Sequence, residues 1–228
     1  QRGDGRRILG AGPLDQILST VAGQAGTAGY GAENIPATQS PLYYPETVAV
    51  DPQGNVYVGE RTRIRRIDRA TGRIATIAGQ ANQAGDSGDG GPALQARINY
   101  PRGLVLDGAG NLYFADSYNH RVRKITPAGI ITTVAGTGEG GFNGDGHAGP
   151  QGKLYFPWDL SFDPQGNLYI ADWDNHRVRK LTPSGILDTV GDGSYPVAGL
   201  PPGFPSREIQ LEWPGGVAVC PDGGIYVS

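Results

Sequence analysis

The chain contains one cysteine, Cys220, no methionine, and only three histidines, His120, His147 and His176. A lone cysteine excludes an internal disulfide and a cysteine-built zinc site. Three histidines leave little for a metal centre that gathers several imidazoles. No stretch approaches the roughly 20 apolar residues of a membrane-spanning helix. Basic residues are not in excess either. Lys and Arg total 19 against 22 Asp and Glu, a formal charge of −3, which argues against a general nucleic-acid binder. The missing initiator methionine leads to the expectation of a piece processed or excised from a longer product. With the low lysine count, it also leads to an expected extracellular or periplasmic location.

Glycine and proline are abundant: 38 Gly and 18 Pro in 228 residues. Such a chain makes many tight turns and few long helices. Its organising feature is repetition. Residues 111–125 (NLYFADSYNHRVRKI) return as 167–181 (NLYIADWDNHRVRKL), and 55–67 (NVYVGERTRIRRI) is a shortened copy. Tyr44-Pro45, Tyr100-Pro101, Phe156-Pro157 and Trp213-Pro214 place their prolines 56, 56 and 57 residues apart. Val21, Ile77, Val134 and Val190 repeat the period in a second phase.

Each unit reads as four short strands. The first is 47–50, 103–106 and 216–219. An Asp-, Pro- and Gly-rich turn follows at 51–55, 107–111, 163–167 and 220–224, so strands one and two form a hairpin. The second strand is 56–59, 112–115, 168–171 and 225–228, the third is 121–125, and the fourth is 74–77, 130–134 and 186–190. Four antiparallel strands at a fixed period predict an all-β fold, a β-propeller of four-stranded blades. Residues 1–228 are taken as one such domain of about four repeats: a closed four-bladed ring, a fragment of a larger propeller, or a piece that assembles with copies of itself. The fourth repeat is split between the termini: residues 6–8 and 17–21 supply its third and fourth strands. Gly-rich inserts at 24–43, 80–99, 137–155 and 191–212 join one blade to the next. They are expected to share a face with the turns at 117–120 and 173–176.

The run 119–125 (NHRVRKI), its copy 175–181, the preceding Leu-Tyr-x-Ala-Asp and the inserts 88–93 (GDGGPA) and 144–150 (GDGHAGP) resemble NHL repeats. They are most similar to bacterial and teneurin-like members with long inter-blade loops. The resemblance implies a propeller. Functionally it implies a set of classes: protein-binding, RNA-binding and sensor modules, and a few lyases or lactonases.

Asp116, His120 and Arg121, with Asp172, His176 and Arg177, have the residue types of a catalytic site. They recur in phase, however, and chemistry needs one asymmetric cluster. They are read as a cross-strand carboxylate–arginine pair that orders the hairpin. Residues 86–90 (DSGDG) and 143–146 (NGDG) hint at calcium, but the spacing falls short of a calcium loop and the reading is Asp side chains capping turn amides. Twelve of the 19 basic residues lie in or beside third strands: Arg6, Arg7, Arg61, Arg63, Arg65, Arg66, Arg121, Arg123, Lys124, Arg177, Arg179 and Lys180. They are expected to form a solvated basic girdle. No cofactor and no metal are assigned.

Function is expected where the copies disagree. Glu46, Arg102 and Trp158-Asp159 occupy matching places at the mouth of the inner strands. Tyr118 and Trp173 lie on the loop face, and Trp173 stands where the neighbouring copy has Ser117. These six residues are the candidate surface for a protein partner. The expected function is a non-catalytic binding or scaffold module, with self-assembly through blade edges as a further route of association. Two alternatives stay open: a metal-dependent propeller hydrolase or lyase, and RNA or anionic-ligand binding through the basic third strands.

Overall fold

A computed structural model describes residues 19–191, 211–220 and 222–228. The first sheet joins β1 (Ile35–Pro36), β2 (Thr47–Val50), β3 (Val56–Glu60), β4 (Arg63–Ile67) and β5 (Arg73–Gly79) in the order β1-β5-β4-β3-β2. The second contains β6 (Pro101–Leu106), β7 (Leu112–Asp116), β8 (Arg121–Ile125) and β9 (Ile131–Ala135) in sequence order. The third repeats the first. It is built from β10 (His147–Ala148), β11 (Pro157–Phe162), β12 (Leu168–Asp172), β13 (Arg177–Leu181) and β14 (Ile186–Gly191), in the order β10-β14-β13-β12-β11. A hairpin of β15 (Val217–Val219) and β16 (Ile225–Val227) follows.

The hairpin turns form for a local reason. Asp51 accepts the backbone N–H groups of Gln53 and Asn55 at 3.0 and 2.8 Å, and the Asn55 amide at 2.7 Å. Asp107 and Asp163 repeat the arrangement with Asn111 and Asn167. Gly54, Gly110 and Gly166 sit at φ of 81–84°, a left-handed conformation that glycine adopts without strain.

The sheets pack face to face through their inner strands: β6 lies against β2 and β11, and β11 against β15. One apolar cluster fills each gap. Ile64, Ala78, Ile98, Leu104 and Phe114 lie between the first two sheets, and Val122, Leu154, Leu160, Ile170 and Leu187 between the second and third. Middle strands are therefore covered on both faces. Val122 and its neighbour Arg123 both have no solvent exposure.

Two expectations change. The inserts do more than connect blades. Among the described residues, the inserts cross to the outer edge of the next sheet, where β1 pairs with β5 and β10 with β14. A single bridge, Pro92 to Ile130, does the same for the second sheet. The first and third sheets thus carry a short fifth strand, which covers an edge that would otherwise offer unpaired backbone groups. The expected strands at 6–8 and 17–18 and most of the insert 191–212 lie outside the described residues, and residues 19–21 are not in a strand.

Phe114 is fully buried between the first two sheets, whereas Val48 is 63% exposed on an inner strand. Phe114→Ala should cost about 3–5 kcal/mol in chemical denaturation, and Val48→Ala about 0.5 kcal/mol or less.

Candidate binding surface

The acids and arginines of the repeat build the frame that carries the surface. Asp116 ends β7 with its carboxylate fully buried. It accepts the Asn99 N–H at 2.7 Å and pairs with Arg123 at 3.4 Å. Arg123, also fully buried, donates to Asp89 at 2.7 and 3.0 Å and to the carbonyls of Arg97 and Ser87. In the third sheet Asp172 accepts the Tyr155 N–H at 2.7 Å and the Asn175 amide at 2.8 Å, and pairs with Arg179 at 3.7 Å. Arg179 reaches Asp145 at 3.2 Å. In the first sheet Glu60 takes the buried acid's place and pairs with Arg63, while Arg65 donates to Ser40 and the Ala32 carbonyl and pairs with Glu33 at 3.6 Å.

Three sequence readings are corrected by this arrangement. The arginines at the centre of the third strands are not part of a solvated girdle, whereas Arg61, Arg66, Arg121, Lys124, Arg177 and Lys180 are partly exposed. Arg65, Arg123 and Arg179 have no exposure and Arg63 has 3%, because the inserts close over the strands they lie on. Arg6 and Arg7 lie outside the described residues. In the second and third sheets the buried acid's ion-pair partner is also not the arginine directly across the hairpin, as it is for Glu60 and Arg63 in the first. Arg121 is the backbone partner of Asp116, yet its guanidinium pairs with Asp86 at 3.4 Å. Asp89 does cap a backbone amide, that of Thr133 at 3.0 Å, but it binds Arg123 as well. Its counterpart Asp145 lies in the second of the two Asp motifs read as amide caps, whereas Glu33 was not singled out in the sequence. Their signal was present, since Glu33, Asp89 and Asp145 are 56 residues apart. Each binds a threonine on the fourth strand: Thr76, Thr133 and Thr189. Among the described residues, no group of three or more His, Cys, Asp and Glu could hold a metal ion.

The repeat histidines latch one sheet to the next. His120 sits in the left-handed region at φ 53° and its Nδ1 accepts the Phe156 N–H at 3.2 Å. His176, at φ 54°, accepts the Trp213 N–H at 3.3 Å. Burial holds the His120 imidazole below its usual range, against the pull of Asp174, which keeps the nitrogen an acceptor at neutral pH. In the first copy the Arg61 carbonyl replaces it and accepts the Tyr100 N–H at 2.7 Å. His147 has another task, with its Nε2 3.0 Å from the Asn143 carbonyl. The four residues before the repeat prolines, Tyr44, Tyr100, Phe156 and Trp213, lie at φ of 48–55°, a strained setting for an aromatic residue.

Four of the six candidate residues meet in one row. Glu46 pairs with Arg102 at 2.9 Å across the first two sheets. The Arg102 guanidinium lies over the Trp158 ring, 3.5 Å from its centroid. Trp158 meets Trp173 nearly perpendicularly, with centroids 3.7 Å apart. The two tryptophans were expected as exposed anchors, but each is half-buried against its neighbours in the row. Asp159 is turned away from it and accepts the Val217 N–H at 3.0 Å, tying β11 to β15. Tyr118 is 48% exposed and belongs to a separate aromatic group with Tyr100 and Phe156, at 4.6 and 5.1 Å. Ser117, whose place Trp173 takes in the next copy, donates to the Pro157 carbonyl at 2.6 Å.

Known proteins match this architecture. The family described as Teneurin NHL domain matches residues 81–143, and the family NHL repeat matches residues 154–181. Teneurin-1 of Gallus gallus is 33% identical over 233 residues, covering 92% of this chain and 8% of that protein. NHL repeat-containing protein 2 of Bos taurus is 36% identical over 110 residues, 47% of this chain and 14% of its own length. The chain thus spans a small part of these relatives. Among solved structures, a chain of the nidogen/laminin complex superposes with a TM-score of 0.52 at 19% identity, covering 82% of this chain and 57% of that one. A streptogramin B lyase gives 0.54 at 15% identity, covering 87% and 52%. These two likenesses show the fold alone.

Burial raises the Asp116 and Asp172 carboxyls to about 6, against stabilising hydrogen bonds and their arginines. The folded protein therefore takes up these protons before the unfolded chain does. Their contribution to stability is full below the ordinary value of 3.8 and is lost as pH rises through about 6. A carboxyl-carbon NMR titration should show two aspartates with midpoints near 6. One signal should vanish in Asp116→Asn and the other in Asp172→Asn.

Proposed function

Because the chain belongs to the NHL-repeat family, we propose that this propeller-type protein is a non-catalytic binding or scaffold module that recognises a partner protein on its loop face. On this reading there are about four repeats, the fourth combining β15 and β16 with strands from the other end of the chain. The observation that carries the function is the continuous row Glu46–Arg102–Trp158–Trp173 across adjacent sheets. Arginine and tryptophan are the residue types that most often dominate binding energy at protein interfaces. The row is also built where the copies differ, while the residues that recur in phase are occupied by the frame and the seams. Tyr118 adds an exposed ring in its separate aromatic group, and Asp159 ties the strand that carries Trp158 to β15.

The reading as a binder of RNA or an anionic ligand keeps fewer residues, because the arginines at the centre of the third strands are buried and paired, while Arg61, Arg66, Arg121, Lys124, Arg177 and Lys180 stay partly exposed. A metal-dependent hydrolase or lyase has no donor cluster behind it among the described residues. No helix among those residues is long and apolar enough to cross a membrane. An extracellular or periplasmic location stays part of the proposal, and fractionation that finds the protein only in the cytosol would remove it.

Replacing Trp158 and Trp173 together by alanine should weaken partner capture at least tenfold, with the β-sheet circular dichroism of the fold retained. Capture that proceeds unchanged in the double variant would refute the surface.

A further inference from the structure

The row contains two N–H donors with nothing to donate to. The Arg102 Nε and the Trp173 Nε1 are both buried and lack an acceptor. Buried donors usually find a partner; Arg63, Arg65, Arg121 and Arg179 of the frame also leave one nitrogen unpartnered, but only here do two such donors stand together in the row of the candidate surface. The repeat supplies an internal comparison. At the position of Trp173, the second sheet has Ser117, and its hydroxyl donates to the Pro157 carbonyl of the next sheet. The third sheet keeps a donor there and gives it no acceptor.

Arg102 shows the same incompleteness. Its Nη2 pairs with Glu46 at 2.9 Å, but its Nε is unused. A guanidinium binds a carboxylate best through two parallel N–H groups. Glu46 comes from the adjacent sheet and engages only one edge of the fork. Trp158 covers a flat face of the guanidinium, so an incoming acceptor must approach its N–H groups in the guanidinium plane. Glu46 precedes β2 in an exposed stretch of backbone, and its carboxylate can move into water.

From these observations, and resting on the proposed binding role, we infer that Glu46 is an internal stand-in for a carboxylate of the partner protein. The partner's carboxylate displaces Glu46, engages Arg102 through Nε and Nη2 together, and presents a neighbouring backbone carbonyl to the Trp173 indole N–H. The ligand is thus an acidic segment of a protein. Its carboxylate comes from an Asp or Glu side chain or from a chain end. Three N–H donors are filled in the complex, two of which lack an acceptor in the free protein. Glu46 acts as a competitor that keeps Arg102 positioned and holds affinity down.

The test uses 15N-labelled protein and three hexapeptides: one with a central Glu and both ends blocked, the same with Gln, and the Gln peptide with a free C-terminal carboxylate. The Glu peptide should bind saturably at millimolar concentration or below and move the Trp173 indole N–H signal downfield, while the blocked Gln peptide should not. Binding by the third peptide as well, or by it alone, supports the same site and identifies the chain end as a source. Glu46→Gln should bind the effective peptide about tenfold more tightly. Arg102→Lys keeps the charge but loses the fork, and should weaken binding about tenfold with thermal unfolding unchanged. Equal binding of the Glu and blocked Gln peptides, no binding by either carboxylate peptide, or no gain in Glu46→Gln would overturn the inference. A protein partner lost on the double tryptophan substitution, yet indifferent to Glu46→Gln, would defeat this inference and leave the binding role standing. A partner still captured unchanged by the double tryptophan variant would defeat the surface assignment on which this inference rests.

Discussion

A guanidinium with no exposure to water must be neutralised where it sits, and this protein buries one in each of its three larger sheets. Removing one partner from a buried ion pair typically costs about 3–5 kcal/mol, so the supporting acids are fixed as tightly as the arginines. Arg123 and Arg179 each have two such acids: one ends the strand beside them, the other arrives on an insert from the preceding repeat. The second acid couples distant parts of the chain. Asp89 cannot reach Arg123 and the Thr133 amide unless residues 80–99 fold back across the next sheet. The same crossing brings Pro92 to the outer edge and Asn99 to Asp116. Long Gly-rich segments that would otherwise be free thus become part of the sheet's wall.

Between sheets the constraint is different. Each seam is closed by the N–H of an aromatic residue that precedes proline and is held in a left-handed conformation. A strained residue of this kind costs on the order of 1–3 kcal/mol and persists only where its surroundings hold it. At two seams the hold is a histidine Nδ1 with the aromatic ring packed beside it. At the first seam it is the Arg61 carbonyl, with the arginine side chain over Tyr100. The geometry is kept while the chemistry changes, so the first repeat can lose its Asn-His pair and stay in register.

Much of this was legible in the sequence. The period, the hairpins and the third strand at Arg121–Ile125 follow from turn residues and in-phase strings, because those features are local. The burial of Arg123 was not legible from its own strand. Alternation along a strand tells which residues share a face, and charge then suggests that the face is wet. Here both faces are covered, one by the adjacent sheet and one by an insert that begins more than 30 residues away. The acid that makes this tolerable repeats at the period of the chain, so the information existed, but as a relation between repeats. The candidate surface was half legible. Position and divergence between copies selected Glu46, Arg102, Trp158 and Trp173. Nothing in the sequence could tell that Asp159, next to Trp158, spends its carboxylate on β15.

The row depends on a close approach that only glycine permits. Gly103, directly after Arg102, has φ 51°, and a Cβ built there would lie 2.7 Å from the Asp159 Cα and the Leu160 nitrogen. Real Cβ atoms do not come so near backbone, so any other residue would push β6 from β11. The register of β6 on β7 and of β11 on β12 is irregular at just these positions. Bulges of this kind re-aim side chains and are frequent beside functional sites. The first sheet, whose contribution is the flexible Glu46, pairs β2 with β3 without such an irregularity. The rigid half of the row, Arg102 on Trp158, is therefore set by backbone geometry before any ligand arrives. Glu46 is the half that can leave, which is the division of labour expected of a preorganised site with a replaceable counter-ion.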